Sequence, residues 1–174
     1  MQTVILTVLA LVAFAANSLL CRMALGTEII DPVSFSTLRL LSGATILVPL
    51  SQLTVEPRPP AGSIGSWGSA LALFGYAMAF SLAYGSLDTG MGALILFGTV
   101  QATMIGVGLK SGERPHLVEW MGLGVALAGL IYLVFPGISA PHPLGALLMF
   151  LAGIAWGVYS LRGKGTATPV LATT

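Results

Sequence analysis

Six side chains with polar atoms stand inside long apolar runs of this chain: Asn17, Arg39, Tyr76, Gln101, Trp156 and Tyr159. Their chemistry is hydrogen bonding and charge pairing. Amide, phenol, indole and guanidinium groups at such positions can replace water around a polar metabolite, and polar groups inside a membrane face a cavity or another helix because exposure to lipid is expensive. The bland reading stands beside this one. Asn and Gln also bridge neighbouring helices, and Ser or Thr hydroxyls bond back to their own backbone. Asn17 and Gln101 fit either role, while Ser18, Ser81, Thr99 and Thr103 read as internal hydrogen bonds. Arg39 lies about 10 Å along its segment at 1.5 Å per residue. An arginine at a helix centre costs about 2.5–3.5 kcal/mol on insertion scales, so it should snorkel or find a partner. Asp31, Glu28 or the carboxylate of a substrate could serve. Arg22, nearer the end of its segment, reads as a snorkelling side chain.

The elements that hold these groups are apolar segments of bilayer-spanning length. Six are legible: Thr3–Ala24, Val33–Leu53, Ser66–Tyr84, Met91–Leu109, Leu117–Phe135 and Leu144–Leu161. Each approaches the ~20 residues that a helix needs to cross the hydrocarbon core. The chain is 56% hydrophobic and 7% charged, against about 25% charged in soluble domains. The expected fold is therefore an all-α, polytopic integral membrane bundle of about six transmembrane helices, with the lipid bilayer as its solvent.

Several functions are disfavoured by the same residues. No basic run is present to bind nucleic acid, and no phosphate loop to use ATP directly. A membrane enzyme would need intramembrane acids, a His cluster or a Ser/Lys dyad, and none is evident, so the chain reads as a non-enzyme. Cys21 is the single cysteine, which excludes an intrachain disulfide; it reads as a small apolar residue. His116 and His142 fall on opposite sides of the membrane and cannot share a metal, so no cofactor is expected. No Asp or Glu sits at the centre of a segment, which weakens proton coupling by a carboxylate. Glu113 reads as a cap or loop-pairing residue.

The gaps carry loop punctuation: Asp31-Pro32, the proline-rich Glu56-Pro57-Arg58-Pro59-Pro60, Lys110 to His116, and Pro136, Pro141 and Pro143. Orientation follows from the basic residues. Arg58, Lys110, Arg114, Arg162 and Lys164 share one side, and Arg22 alone lies on the other. The N-terminus is therefore expected in the cytoplasm. No basic residue precedes the first run, which is also longer than a signal-peptide core; it reads as the first span. Gly153-x-x-x-Gly157, Gly122-x-x-x-Ala126 and Gly75-x-x-x-Ala79 read as close-packing faces. Trp67, Trp120 and Tyr132 read as interfacial anchors.

Leu96-Phe97-Gly98, Gln101, Gly112-Glu113-Arg114, Trp120-Met121-Gly122 and Ala126-Leu127-Ala128-Gly129 resemble the EamA type of the drug/metabolite transporter superfamily. Asp31-Pro32 with Leu38-Arg39-Leu40-Leu41 resembles the start of the family's second helix, and Ala155-Trp156-Gly157-Val158-Tyr159-Ser160 the helix opening its second repeat. A departure is Ala102-Thr103 after Gln101, where the family often has a proline. The resemblance implies that residues 1–136 form a first five-helix repeat, and 137–174 a loop and the first helix of an incomplete second repeat. A faint echo of Pro32–Thr37 in Pro169–Thr174 accords with an inverted repeat. The implied function is secondary transport, with export expected, of a small metabolite or drug-like solute across the cytoplasmic (inner) membrane by alternating access, through a cavity lined by the first, third, fourth and sixth helices. The alternative is a non-transporting fragment or subunit. Expected partners are the solute and either a second copy in a homodimer or a complementary second-repeat chain.

Overall fold

The computed structural model describes residues 2–26, 30–53, 66–134 and 141–164. Glu28, the Glu56–Pro60 stretch, Phe135, Pro136 and the Pro169–Thr174 segment lie outside them. The described residues form six helices: α1 (Gln2–Gly26), α2 (Pro32–Leu53), α3 (Trp67–Tyr84), α4 (Thr89–Lys110), α5 (Leu117–Val134) and α6 (Pro143–Gly163). Five of them are long and apolar enough to cross a membrane; α5 is the shorter apolar helix, counted over Leu117–Gly129 among the described residues. The chain is an all-α polytopic bundle.

Local chemistry sets the helix ends. Asp31 accepts hydrogen bonds from the Val33 and Ser34 amides at 3.0 and 2.9 Å, with Pro32 at the first helical position, where a missing N–H costs nothing. Ser66 caps α3 by accepting from the Ser69 amide at 3.2 Å. The end of α4 is a Schellman turn: Gly112 has φ +86°, its amide donates to the Leu109 carbonyl at 3.1 Å, and the Glu113 amide donates to the Gly108 carbonyl at 3.0 Å. Glycine fits this position because a side chain resists positive φ. Glu119 then reaches back to the His116 amide at 2.8 Å, half of a capping box that starts α5. The Gly-Glu-Arg turn is thus a stop signal followed three residues later by a start signal.

The packing is centred on α6, which lies between α3 and α4 and touches each more extensively than they touch one another. Three glycines make the approach possible. A Cβ on Gly153 would lie 2.6 Å from Thr99 Cβ and 3.0 Å from the Leu96 carbonyl; on Gly157 it would meet Thr103 Cγ2 at 2.9 Å; on Gly145, Leu87 Cγ at 3.0 Å as well as the Ser86 hydroxyl. Met149 and Ala152, on the same helix, are fully buried. Of the three small-residue faces expected to pack closely, only Gly153-x-x-x-Gly157 does so at its glycines: nothing lies within 4 Å of a Cβ placed on Gly75 or Gly122.

The core is built from α3 and α6 with the C-terminal half of α1. Phe80, Ala83 and Tyr84 of α3 are fully buried, with Ser18, Cys21 and Leu25 of α1 packed in the same region. The first half of α1, Val4 to Val12, is exposed, as lipid-facing or partner-facing surface must be. Helix α2 leans on α3, and α5 on α4. Hydroxyl groups in the spans mostly return to their own backbone, as with Ser81 to the Ala77 carbonyl (2.9 Å), Thr99 to Ile95 (2.7 Å) and Thr103 to Thr99 (2.8 Å). Trp67 and Tyr132 are largely exposed at helix ends.

Candidate functional site

Tyr76, Phe80 and Tyr84 recur every four residues along α3 and so share one face. Tyr76 packs on Phe80 at 5.3 Å between ring centroids, and Phe80 meets Tyr84 edge-on at 4.7 Å. From α6, Trp156 lies 4.7 Å from Tyr76 and 5.5 Å from Tyr159. From α1, Phe14 stands edge-on to Trp156 at 6.0 Å and to Phe97 of α4 at 6.4 Å. The result is an aromatic wall joining four helices, with offset and edge-on geometries that suit ring quadrupoles.

Asn17 stands where this wall meets α1. With Ser18, Tyr76, Phe97 and Trp156 it bounds a narrow pocket of about 10 Å³, room for about one water. Its carbonyl oxygen lies 4.0 Å from Cys21 Sγ, a weak contact.

Arg39 of α2 also reaches Tyr76. Its guanidinium donates to Tyr76 Oη at 3.5 Å and to Cys21 Sγ at 3.9 Å. It also lies 5.5 Å from the Tyr76 ring centre and 5.3 Å from that of Phe80. The side chain is turned into the bundle instead of snorkelling. Its expected acidic partner at the helix start, Asp31, is engaged instead as the cap of α2. Cation–π contact supplies about 0.5–2 kcal/mol, less than the ~2.5–3.5 kcal/mol cost of placing an arginine at mid-span, so rings alone do not compensate the charge. Arg39, Asn17, Cys21 and Ser42 line an open cleft of about 510 Å³ between α1 and α2.

Gln101 is elsewhere. It lies exposed on α4 and lines a separate cavity of about 420 Å³ against α5, with Glu119, Trp120 and Ala126. The structure therefore brings together Asn17, Arg39, Tyr76, Trp156 and Tyr159, and leaves Gln101 on the far side of α4. Phe14, Phe80, Phe97 and Cys21 complete the cluster; the sequence does not single out Phe14 or Phe80, Phe97 stands out only within the family motif, and Cys21 reads as a small apolar residue. The four-residue spacing of Tyr76, Phe80 and Tyr84 was the signal that could have found Phe80; Phe14 and Phe97 look like any lipid-facing phenylalanine.

Polar contacts at the two ends of the bundle frame the cluster. At one end Arg22 donates to the Tyr84 carbonyl at 3.0 Å and pairs with Asp88 at 3.5 Å. A cation at the C-terminus of α3 suits the helix dipole; Arg22 thus docks α1 on α3. At the other end Lys164 pairs with Glu113 at 2.9 Å, and Arg162 donates to Ser66 and Ser69 at 3.1 and 3.2 Å. These are the ion pairs among the described residues, and neither includes Arg39. No group of His, Cys, Asp and Glu able to hold a metal occurs among the described residues.

The family model described as the EamA-like transporter family matches residues 1–135. An uncharacterized protein of Pseudomonas aeruginosa is 53% identical over 169 residues, covering 97% of this chain and 58% of the relative. The uncharacterized inner membrane transporter YedA of Escherichia coli is 25% identical over 84% of the chain and 48% of its own length. A probable amino-acid metabolite efflux pump of Escherichia coli is 20% identical over 92% of the chain and 52% of the pump. The chain thus spans about half the length of the curated relatives it matches. No solved structure matches it.

Proposed function

The chain belongs to the EamA-like transporter family, and on that premise we propose that it builds one half of an inner-membrane pathway exporting a small solute by alternating access. The observation that carries this reading is the mid-span cluster itself. Asn17, Tyr76 and Trp156 come from three helices, α1, α3 and α6, and meet around one pocket. A purely structural bundle of this composition has no need to gather its amide, phenol and indole at one place, whereas a solute path needs hydrogen-bonding groups and flat apolar surfaces together.

In this reading α1 to α5 form one repeat and α6 opens the next. The glycine seam between α4 and α6 is a surface on which the two repeats rock. The excess of basic residues at the Lys110, Arg162 and Lys164 end supports a cytoplasmic position for that end and for the N-terminus. The likeness to a probable amino-acid metabolite efflux pump supports export as the direction. The second half of the path comes from another copy of the chain or from a complementary second-repeat chain. A second reading, a subunit that does not transport without that chain, draws on the half-length match to the relatives.

Native mass spectrometry in nanodiscs fixes the assembly, and counterflow of radiolabelled amino-acid metabolites in proteoliposomes tests transport. Flux by a homodimer, lost in Asn17→Ala and retained in Gln101→Ala, is the expected result. Flux that appears only with a partner chain selects the second reading. An assembly that moves solute equally well with Asn17→Ala would remove the cluster from the path.

A further inference from the structure

Arg39 is the basic side chain placed deepest in a described span, and its electrostatics are incomplete. A guanidinium offers five N–H donors. Here two long contacts are made, to a neutral phenol at 3.5 Å and a thiol at 3.9 Å. The two aromatic faces at 5.3 and 5.5 Å orient the group without neutralising it. The ion pairs among the described residues are Arg22–Asp88 and Lys164–Glu113, and neither includes Arg39. The group lines a cleft of about 510 Å³ whose other polar walls are Asn17 and Ser42 and whose apolar walls are Leu20, Phe35 and Leu38.

We propose that this cleft is an anion subsite in which Arg39 receives the carboxylate of a small, singly charged organic solute. The word solute rests on the transport reading above; the anion preference does not. Three features select the ligand class. The planar fork of arginine matches a carboxylate through two parallel hydrogen bonds. Among the described residues one cation faces the cleft, so a monoanion balances it, whereas a phosphate monoester, carrying about −1.5 to −2 charges, would bring uncompensated charge into a low-dielectric site. The apolar walls accept the hydrocarbon part of the molecule. A phosphodiester lipid headgroup is also a monoanion. However, Arg39 lies about 10 Å along α2 from its start, and its guanidinium is turned inward onto Tyr76 rather than outward to the headgroup layer.

Thiol labelling tests this directly, because Cys21 is the only cysteine in the chain. In a Cys21→Ala background, Ser42→Cys places a thiol in the cleft, and His142→Cys supplies an exposed reference. Labelling rates are compared for sulfonatoethyl and trimethylammonioethyl methanethiosulfonates in phosphatidylcholine nanodiscs. At Ser42→Cys the anionic reagent is expected to gain about tenfold over the cationic one relative to the reference, as a unit charge nearby requires. Arg39→Gln abolishes that preference and Arg39→Lys keeps it. Phenylacetate, but not its uncharged analogue phenylacetamide, slows the labelling several-fold.

A charge preference unaltered by Arg39→Gln overturns the proposal, and so does equal protection by the acid and the amide. Protection that requires phosphatidylglycerol in the nanodisc assigns the site to lipid and overturns the solute. If Arg39→Gln does not fold, the acid–amide comparison on the unsubstituted arginine decides alone. Failed counterflow with charge selectivity intact removes the transport reading and leaves the subsite; flux that survives with selectivity absent removes the subsite alone.

Discussion

Adding one methyl group at Gly153 tests the central role of α6. The Cβ of Gly153→Ala would sit 2.6 Å from Thr99 Cβ, 3.0 Å from Thr99 Cγ2 and 3.0 Å from the Leu96 carbonyl. Ordinary carbon contacts are ~3.5–4.0 Å, so α6 must retreat from α4 by up to about 1 Å. A gap of 0.5–1 Å forfeits a quarter to a half of each dispersion well along the seam. Overpacking of this kind costs about 1–3 kcal/mol. It outweighs the ~1 kcal/mol that alanine gains over glycine in a helix interior. For a chain of this size about 2–4 °C is lost per kcal/mol, so the net fall in melting temperature is several degrees. The control is Gly75→Ala, where a Cβ meets nothing within 4 Å and helix propensity acts alone; its melting temperature holds or rises. Adding Thr99→Ala to Gly153→Ala removes the Cγ2 contact and restores part of the loss. The rescue stays incomplete, since alanine at 99 keeps the Cβ that lies at 2.6 Å, and the Leu96 carbonyl at 3.0 Å belongs to the α4 backbone and has no rotamer to escape into. Differential scanning fluorimetry in one detergent reads all four proteins. Equal shifts for Gly153→Ala and Gly75→Ala would falsify the close approach of α6 to α4.

Gly112→Ala forces a side chain into φ +86° and should cost about 1–2 kcal/mol, read as a lower melting temperature, while Gly163→Ala, with open space around it, leaves the melt unchanged. The Asp31 carboxylate is held below its ordinary value, first by the Ser34 side chain and then by the Ser34 and Val33 amides. A lowered carboxylate pKa stabilises the fold above the unfolded value and loses that contribution as pH falls through the folded one. Hydrogen exchange at Val33 and Ser34 should therefore accelerate, after correction for intrinsic rates, only as the pH drops below the ordinary value of 3.8. In a Cys21→Ala background in intact cells, a membrane-impermeant maleimide should label His142→Cys and spare Ser111→Cys until the membrane is opened. The reverse pattern would invert the assigned orientation.

Helix positions were legible because hydropathy and punctuation agree. Thr3–Ala24 became Gln2–Gly26, and Leu144–Leu161 became Pro143–Gly163; Gly26, Pro143 and Gly163 stand at these ends, and their backbone preferences are local. Neighbour relations were not legible. The three small-residue faces share one pattern, yet only Gly153-x-x-x-Gly157 meets a partner at its glycines, since a partner's approach is a tertiary fact. The same holds for Asn17 and Gln101, two amides in two apolar helices. One faces the aromatic cluster and the other faces α5, a difference set by helix rotation, which the low amphipathicity of membrane helices hides. The sequence pairs Arg39 with a nearby acid; the fold sets it on Tyr76, 37 residues away.

The place of α6 between α3 and α4 also sets a timetable for synthesis. Helices α3 and α4 leave the ribosome first and have little to hold them together, so for the time needed to make about 50 residues they are an open groove in the bilayer. At 5–20 residues per second that interval is about 3–10 s. During it the glycine-facing surfaces of Thr99 and Thr103 are open to lipid or to a wrong helix. The family model ends at residue 135, before α6 begins, yet α6 is the helix on which α3 and α4 pack. Ribosomes stalled just before α6 has emerged should carry a nascent chain that is inserted yet readily extracted or proteolysed, and release of one more helix should close it.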